Sequence, residues 1–271
     1  MKKLLFVATA SLCAAVFGAI ESSNIVGYQK VAMEQNKFYI VGFQFENIGS
    51  DGTMILGTDI VDGLPGVAYD DDGKWMTLAA QIQVPNTTGG YTTYRYLVDG
   101  YDKEKNDGTT APGWCDDYGN LVKEVELVSM VGAWVKSTPD SADFMSKGMV
   151  SSADIKEIDC PVGFDLRASA FPVPIVLNSS KMIEKDIIGA VYDEAGAWLA
   201  TTPQIQVISA DGGYKTYRYL VDGYDKEKND GTTAPGWCDD YGNLVTDDVI
   251  GSSVGFWTKG VTGEFTLKFS K

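Results

Sequence analysis

Asp102, Glu104 and Asn106 stand at alternate positions in the stretch Asp99–Gly108, and Asp225, Glu227 and Asn229 repeat them 123 residues later. Oxygen ligands at this spacing are what the start of a calcium loop presents, because calcium takes carboxylate and carbonyl oxygens. Here the glycine falls one place late and no glutamate closes the loop, so the stretch is not an EF-hand. A polar hairpin loop is the expected structure. These six residues are the candidate calcium ligands, and calcium is the one cofactor considered.

Carboxylates supply most of the remaining chemistry. Hydrolysis of a glycosidic bond needs two carboxyl groups facing across a cleft, roughly 5–10 Å apart. Asp116 and Asp117 are adjacent. Neighbours on a strand point to opposite faces, so this pair cannot do that work alone and reads as a charged turn. Asp70-Asp71-Asp72 is another acidic turn, and its counterpart Asp193-Glu194-Ala195 lacks one carboxylate. The chain has no histidine. That excludes a Ser-His-Asp triad, a Cys-His pair and histidine-ligated zinc. No catalytic residue is expected, and the protein is read as a non-enzyme.

The aromatic residues offer a different chemistry, since indole and phenol faces can stack on sugars. The expected arrangement places the six tryptophans in the core, with Tyr94 and Tyr96 half-buried on a sheet. A formal charge of −15 excludes binding to nucleic-acid phosphates by counterion release. Such a charge favours solubility or attracts divalent cations.

The elements that must position these groups begin after a leader. Lys2-Lys3 followed by the apolar run Leu4–Ala15 reads as a signal peptide over residues 1–18, with cleavage near Gly18–Ala19. No transmembrane segment is expected, and the mature chain is placed in the periplasm, outside the cell or at its surface. Losing the leader removes Cys13 and leaves Cys115, Cys160 and Cys238. That number is odd, so at least one thiol stays unpaired. Whether any disulfide forms is open, and three small buried residues are expected.

The mature chain is a tandem duplication. Thr93–Val122 and Thr216–Val245 are identical over 30 residues. All six tryptophans pair at the same offset of 123: Trp75 with Trp198, Trp114 with Trp237, Trp134 with Trp257. Upstream the offset becomes 126, matching Phe38 to Phe164. Repeat 1 is placed at 19–147 and repeat 2 at 148–271. The perfect block holds ordinary surface Lys and Thr, so recent recombination explains it better than a shared binding site.

Strand signals dominate. Tyr94, Tyr96 and Val98 share one face at period two, as do Phe265, Leu267 and Phe269. In Phe38–Phe45, Gly42 marks a bulge or a close approach. Turn clusters such as Asp71-Asp72-Gly73 and Asn86–Gly90 separate the strands. Ser179–Ile188 is the best helix candidate, with Ser180 as its cap. The fold class is all-β: two tandem homologous β-sandwich or barrel-like repeats of about seven or eight strands each.

Ser22-Ser23-Asn24-Ile25-Val26-Gly27-Tyr28 follows the leader, and Phe38–Phe43 forms a hydrophobic strand. Each repeat closes on Gly-Trp-x-Asp-Asp and Gly-x-Trp: Gly113–Asp117 with Gly132–Lys136, then Gly236–Asp240 with Gly255–Lys259. On these motifs the chain resembles the uncharacterised secreted β-repeat proteins of Planctomycetes–Verrucomicrobia–Lentisphaerae bacteria. That resemblance implies export and β structure, and it supplies no catalytic residues.

The leading functional expectation is an exported, non-enzymatic structural or surface protein that self-associates through strand edges. The alternative is a bivalent carbohydrate-binding module for surface glycans, in which duplication raises avidity. A carboxylate-dependent glycosidase ranks third.

Overall fold

The computed structural model describes residues 26–47, 53–61, 64, 66–99, 112–122, 125–140, 142–209, 211–222 and 235–271. The expected leader lies outside them. In the first half the strands are β1 (Val26–Met33), β2 (Phe38–Gly42), β3 (Phe45–Glu46), β4 (Thr53–Ile55), β5 (Ile60–Val61) and β6 (Val67–Ala68). They continue with β7 (Gln81–Pro85), β8 (Tyr91–Asp99), β9 (Gly113–Cys115), β10 (Glu126–Val128), β11 (Gly132–Lys136) and β12 (Ala142–Val150). The second half begins with β13 (Ile155–Cys160), β14 (Gly163–Ala168), β15 (Ile175–Val176), β16 (Met182–Lys185), β17 (Ala190–Val191) and β18 (Gln204–Ile208). It ends with β19 (Tyr214–Asp222), β20 (Gly236–Cys238), β21 (Val249–Ile250), β22 (Gly255–Gly260) and β23 (Phe265–Ser270). Among the described residues three single-turn helices, α1 (Leu56–Asp59), α2 (Trp75–Leu78) and α3 (Trp198–Thr201), interrupt them.

The protein is all-β. Each half divides its strands between two larger sheets and a two-stranded ribbon. The first six-stranded sheet has the order β2-β11-β7-β8-β6, with β9 on β8. The second repeats it as β14-β22-β18-β19-β17, with β20 on β19. The other two larger sheets are β1-β12-β3 with β5, and β13-β23-β16. The arrangement is four-bladed and propeller-like, which corrects the expectation of two separate tandem sandwich or barrel-like repeats. The strand number is corrected too, to twelve and eleven among the described residues. Many strands are only two or three residues long, too short to show a period in the sequence.

Alternation decides which face each strand buries. On β23, Phe265, Leu267 and Phe269 point inward and alternate with half-buried Thr266 and Lys268. On β22, Phe256 and Thr258 are fully buried, which turns Trp257 and Lys259 to the opposite face. Each half gathers its own apolar cluster. The first centres on Phe43, Phe45, Ile82, Trp114 and Val135, and the second on Phe171, Ile205, Trp237, Phe256 and Leu267.

The helix expected over Ser179–Ile188 is a turn followed by strand β16. Met182–Lys185 pairs with β23, and its burial alternates, with Met182 inward and Ile183 outward. A period-two pattern of four residues, backed by a ready-made strand edge, outweighs weak helix propensity.

The halves meet where the two six-stranded sheets abut. Val41 bridges to Val254 and Val131 bridges to Arg167. Arg167 is the counterpart of Val41, and Val254 that of Val131. The two bridges are therefore one contact made twice, as in an isologous interface with a local twofold axis. The backbone bonds repeat the symmetry: Gly42 N donates to Ser253 O (3.1 Å) and Ala168 N to Met130 O (2.8 Å). Gly42 is glycine because of close approach, as expected: a Cβ there would lie 2.5 Å from the Ala168 Cβ. Neither half closes on itself, since each leaves backbone groups that the other satisfies.

Candidate functional site

An aromatic cleft lies along this junction. Gly132 and Gly255 open β11 and β22, and two residues later Trp134 and Trp257 stand half-buried on the face turned away from the cores. Their ring centroids are 6.4 Å apart and their planes are inclined at 55°. Phe38 meets Trp134 edge-on at 6.2 Å, and Phe164 meets Trp257 the same way at 6.2 Å. Register explains both contacts. Trp134 sits opposite Ile40 on β2, and Trp257 opposite Leu166 on β14, one pleat from each phenylalanine.

A cavity of about 350 Å³ lies between residues of both halves, including Tyr91 and Gly90 from the first and Phe164, Asp165 and Trp257 from the second. It adjoins a second hollow of about 310 Å³ bounded by Phe164, Gln206, Tyr214 and Trp257. Phe38, Tyr91, Phe164 and Tyr214 are all exposed. Burial pushes the Tyr91 phenol above its ordinary range, against a hydrogen bond with the Trp134 side chain, and the charge of Asp165 and the Tyr214 phenol add to the rise.

The polar groups are few. Asp165 pairs with the Arg167 guanidinium at 2.5 Å. Lys136 follows Trp134 by two residues, and its Nζ lies 5.6 Å from the centroid of the Phe38 ring. Lys259 follows Trp257 in the same way, 4.9 Å from the Phe164 ring. Both fall within the range of cation–π attraction. Among the described residues neither ammonium has a carboxylate partner.

The candidate calcium ligands Asp102, Glu104, Asn106, Asp225, Glu227 and Asn229 lie outside the described residues. Among the described residues no group of three or more Cys, Asp or Glu could hold a metal ion. The Asp116-Asp117 pair divides its labour. Asp116 Oδ1 accepts from Tyr118 N and Asn120 N at 2.9 Å each, closing a turn, while Asp117 pairs with Arg95. Asp239 and Asp240 do the same in the second half, with Asp240 on Arg218. Asp70 closes the turn that leads into α2, its carboxylate accepting from Lys74 N and Trp75 N at 3.1 Å each.

Four tryptophans are core residues, as expected: Trp75, Trp114, Trp198 and Trp237. Trp114 packs edge-on to Tyr96 at 5.6 Å and Trp237 to Tyr219 at 5.4 Å. Trp134 and Trp257 are the exceptions. Cys115, Cys160 and Cys238 are buried free thiols. Burial pushes Cys115 and Cys238 up to about 12 and Cys160 up to about 11.

Sequence reasoning did not gather Phe38, Tyr91, Lys136, Phe164, Tyr214 and Lys259 into one place. The available signal was the Trp-x-Lys spacing on the last-but-one strand of each half, which puts both side chains on one face. No family model, curated protein or solved structure matches the chain.

Proposed function

We propose that this is an exported, non-catalytic carbohydrate-binding protein whose site is the Trp134–Trp257 cleft. The observation that carries this reading is the pair of half-buried tryptophans, flanked by exposed Phe38, Tyr91, Phe164 and Tyr214, beside a cavity of about 350 Å³. Aromatic faces stack on the C–H faces of sugars, and Gln206 and the Tyr91 hydroxyl supply hydrogen bonds to sugar hydroxyls. Export is supported by the charged and apolar leader pattern. The duplication enters differently from a bivalent module, because both halves contribute to one composite cleft. The carboxylate in the cleft, Asp165, is engaged by Arg167 rather than facing a second acid.

Calorimetric titration of the mature protein with a panel of soluble oligosaccharides tests the reading. Binding at one site per chain is expected, weakened about tenfold or more by Trp134→Ala or Trp257→Ala. Binding that survives both substitutions unchanged, or no binding across the panel, overturns it.

A structural, self-associating role is the second reading. Its support is β1, an eight-residue strand at the end of its sheet with Tyr28 exposed by 75%. Light scattering on the mature protein at high concentration, with and without calcium, tests it; a strict monomer in both conditions counts against it.

A further inference from the structure

We infer that the cleft takes an anionic glycan, one whose sugar units carry carboxylate or sulfate groups. This assignment of charge rests on the carbohydrate reading above and adds to it the chemistry of the ligand. Lys136 and Lys259 support it. Each lies two residues beyond a cleft tryptophan on the same strand, so it projects from the same face of the sheet. The local twofold axis relates the two ammonium groups across the tryptophan pair. Each is held over a phenylalanine ring, at 5.6 and 4.9 Å, which fixes its position without neutralising its charge.

Among the other described lysines, Lys30, Lys37, Lys74, Lys156, Lys215 and Lys268 pair with carboxylates, whereas Lys147, Lys181, Lys185 and Lys271, like the cleft pair, have no carboxylate partner among the described residues. In a chain of net charge −15 carboxylate partners are plentiful, yet none approaches the two cleft lysines among the described residues. Asp165, the carboxylate that lines the cavity among the described residues, is offset by Arg167 at 2.5 Å and so repels an anion little. The acidic remainder of the surface is screened over about 8 Å at physiological salt, whereas ammonium groups in contact with the ligand keep their effect. A stacked sugar with an anionic substituent would thus meet an aromatic face and a cation together.

Titrate the mature protein with an oligogalacturonide, with the same oligosaccharide after its carboxyl groups are reduced to alcohols, and with a chondroitin sulfate oligosaccharide. Either anionic probe is expected to bind at least about tenfold more tightly than the reduced one. Lys136→Ala combined with Lys259→Ala should abolish that difference, and Lys136→Arg with Lys259→Arg should preserve it. Thermal melting of each variant confirms that it is folded. Equal affinity for the oligogalacturonide and its reduced form, or affinity indifferent to the alanine pair, overturns the charge assignment and leaves the carbohydrate reading standing. Failure of all three probes and of the neutral panel overturns both.

Discussion

Trp134 and Trp257 occupy equivalent places in the two halves and lie against each other, ring centroids 6.4 Å apart. Equivalent residues touch only close to a twofold axis, so this one distance locates the axis that relates the halves. Gly42 and its counterpart Ala168 face each other near the same axis. The aromatic cleft is thus a property of the junction, and neither half holds it alone.

The junction depends on absent side chains. A Cβ on Gly42 would meet the Ala168 Cβ at 2.5 Å, and one on Gly255 would clash with Ile40 Cγ2. Gly42→Ala and Gly255→Ala are each expected to cost about 1–3 kcal/mol through overpacking. Gly90→Ala, whose Cβ would meet nothing closer than 3.7 Å, is the control and should change stability by less than about 0.5 kcal/mol. Chemical denaturation of the three variants measures the contrast.

The Asx turns after β9 and β20 should be worth a measurable amount. Asp239 Oδ1 accepts from Tyr241 N and Asn243 N at 2.9 Å each, and Oδ2 accepts from Asn243 Nδ2 at 3.0 Å. Asp239→Ala is expected to cost about 1–2 kcal/mol, and Asp239→Asn less, because an amide oxygen still accepts. A loss equal in both variants would show that the charge, not the turn geometry, matters.

Two glutamates should move stability with pH in opposite directions. Burial raises the Glu184 carboxyl, against the hydrogen bond donated by Trp237 Nε1. Its protonated form is favoured in the fold, so its contribution is fully present below the unfolded value and is lost as pH rises through the folded one. Relative to Glu184→Gln, the wild type should lose stability over that rise. For Glu46, burial also pushes up, but hydrogen bonds from Lys156 and Ser151 and the charges of Lys156 and Lys271 outweigh it and hold the group low. Its contribution is present above the unfolded value and is lost as pH falls through the folded one. Melting temperatures of wild type, Glu184→Gln and Glu46→Gln across acid pH test both signs.

The thiols should be silent until the chain unfolds. Cys115, Cys160 and Cys238 are each 0% exposed, and burial disfavours their thiolates. A disulfide-exchange reagent at pH 8 is expected to titrate almost nothing in the native mature protein and all three thiols in guanidinium. Rapid reaction of one thiol in native buffer would contradict this burial.

Quenching separates the tryptophans. Trp75, Trp114, Trp198 and Trp237 are at most 3% exposed, whereas Trp134 and Trp257 are half-buried. Replacing Trp134 and Trp257 together by Phe should remove most of the acrylamide-accessible fluorescence, whereas Trp114→Phe should leave it in place.

Much of this was legible in the sequence. The missing histidines excluded whole classes of catalysis, and the paired tryptophans announced two copies of one unit. Alternation on Phe265–Phe269 marked a strand, and Gly42 marked a close approach. Residues 179–188 misled, because a short polar-apolar mixture fits one helical turn as well as a four-residue strand. The fate of that segment was decided by the open edge of β23, more than 80 residues away.

Composition and period are local, and they determined the all-β class, the two faces of each strand and the chemistry available. Period two states that Trp257 opposes Phe256, but not which face another sheet covers. Only the tertiary structure decided that Phe256 is covered and Trp257 is not. It also brought Trp134, Trp257 and the two lysines together, because that juxtaposition depends on backbone bonds between halves 123 residues apart, which no local pattern encodes.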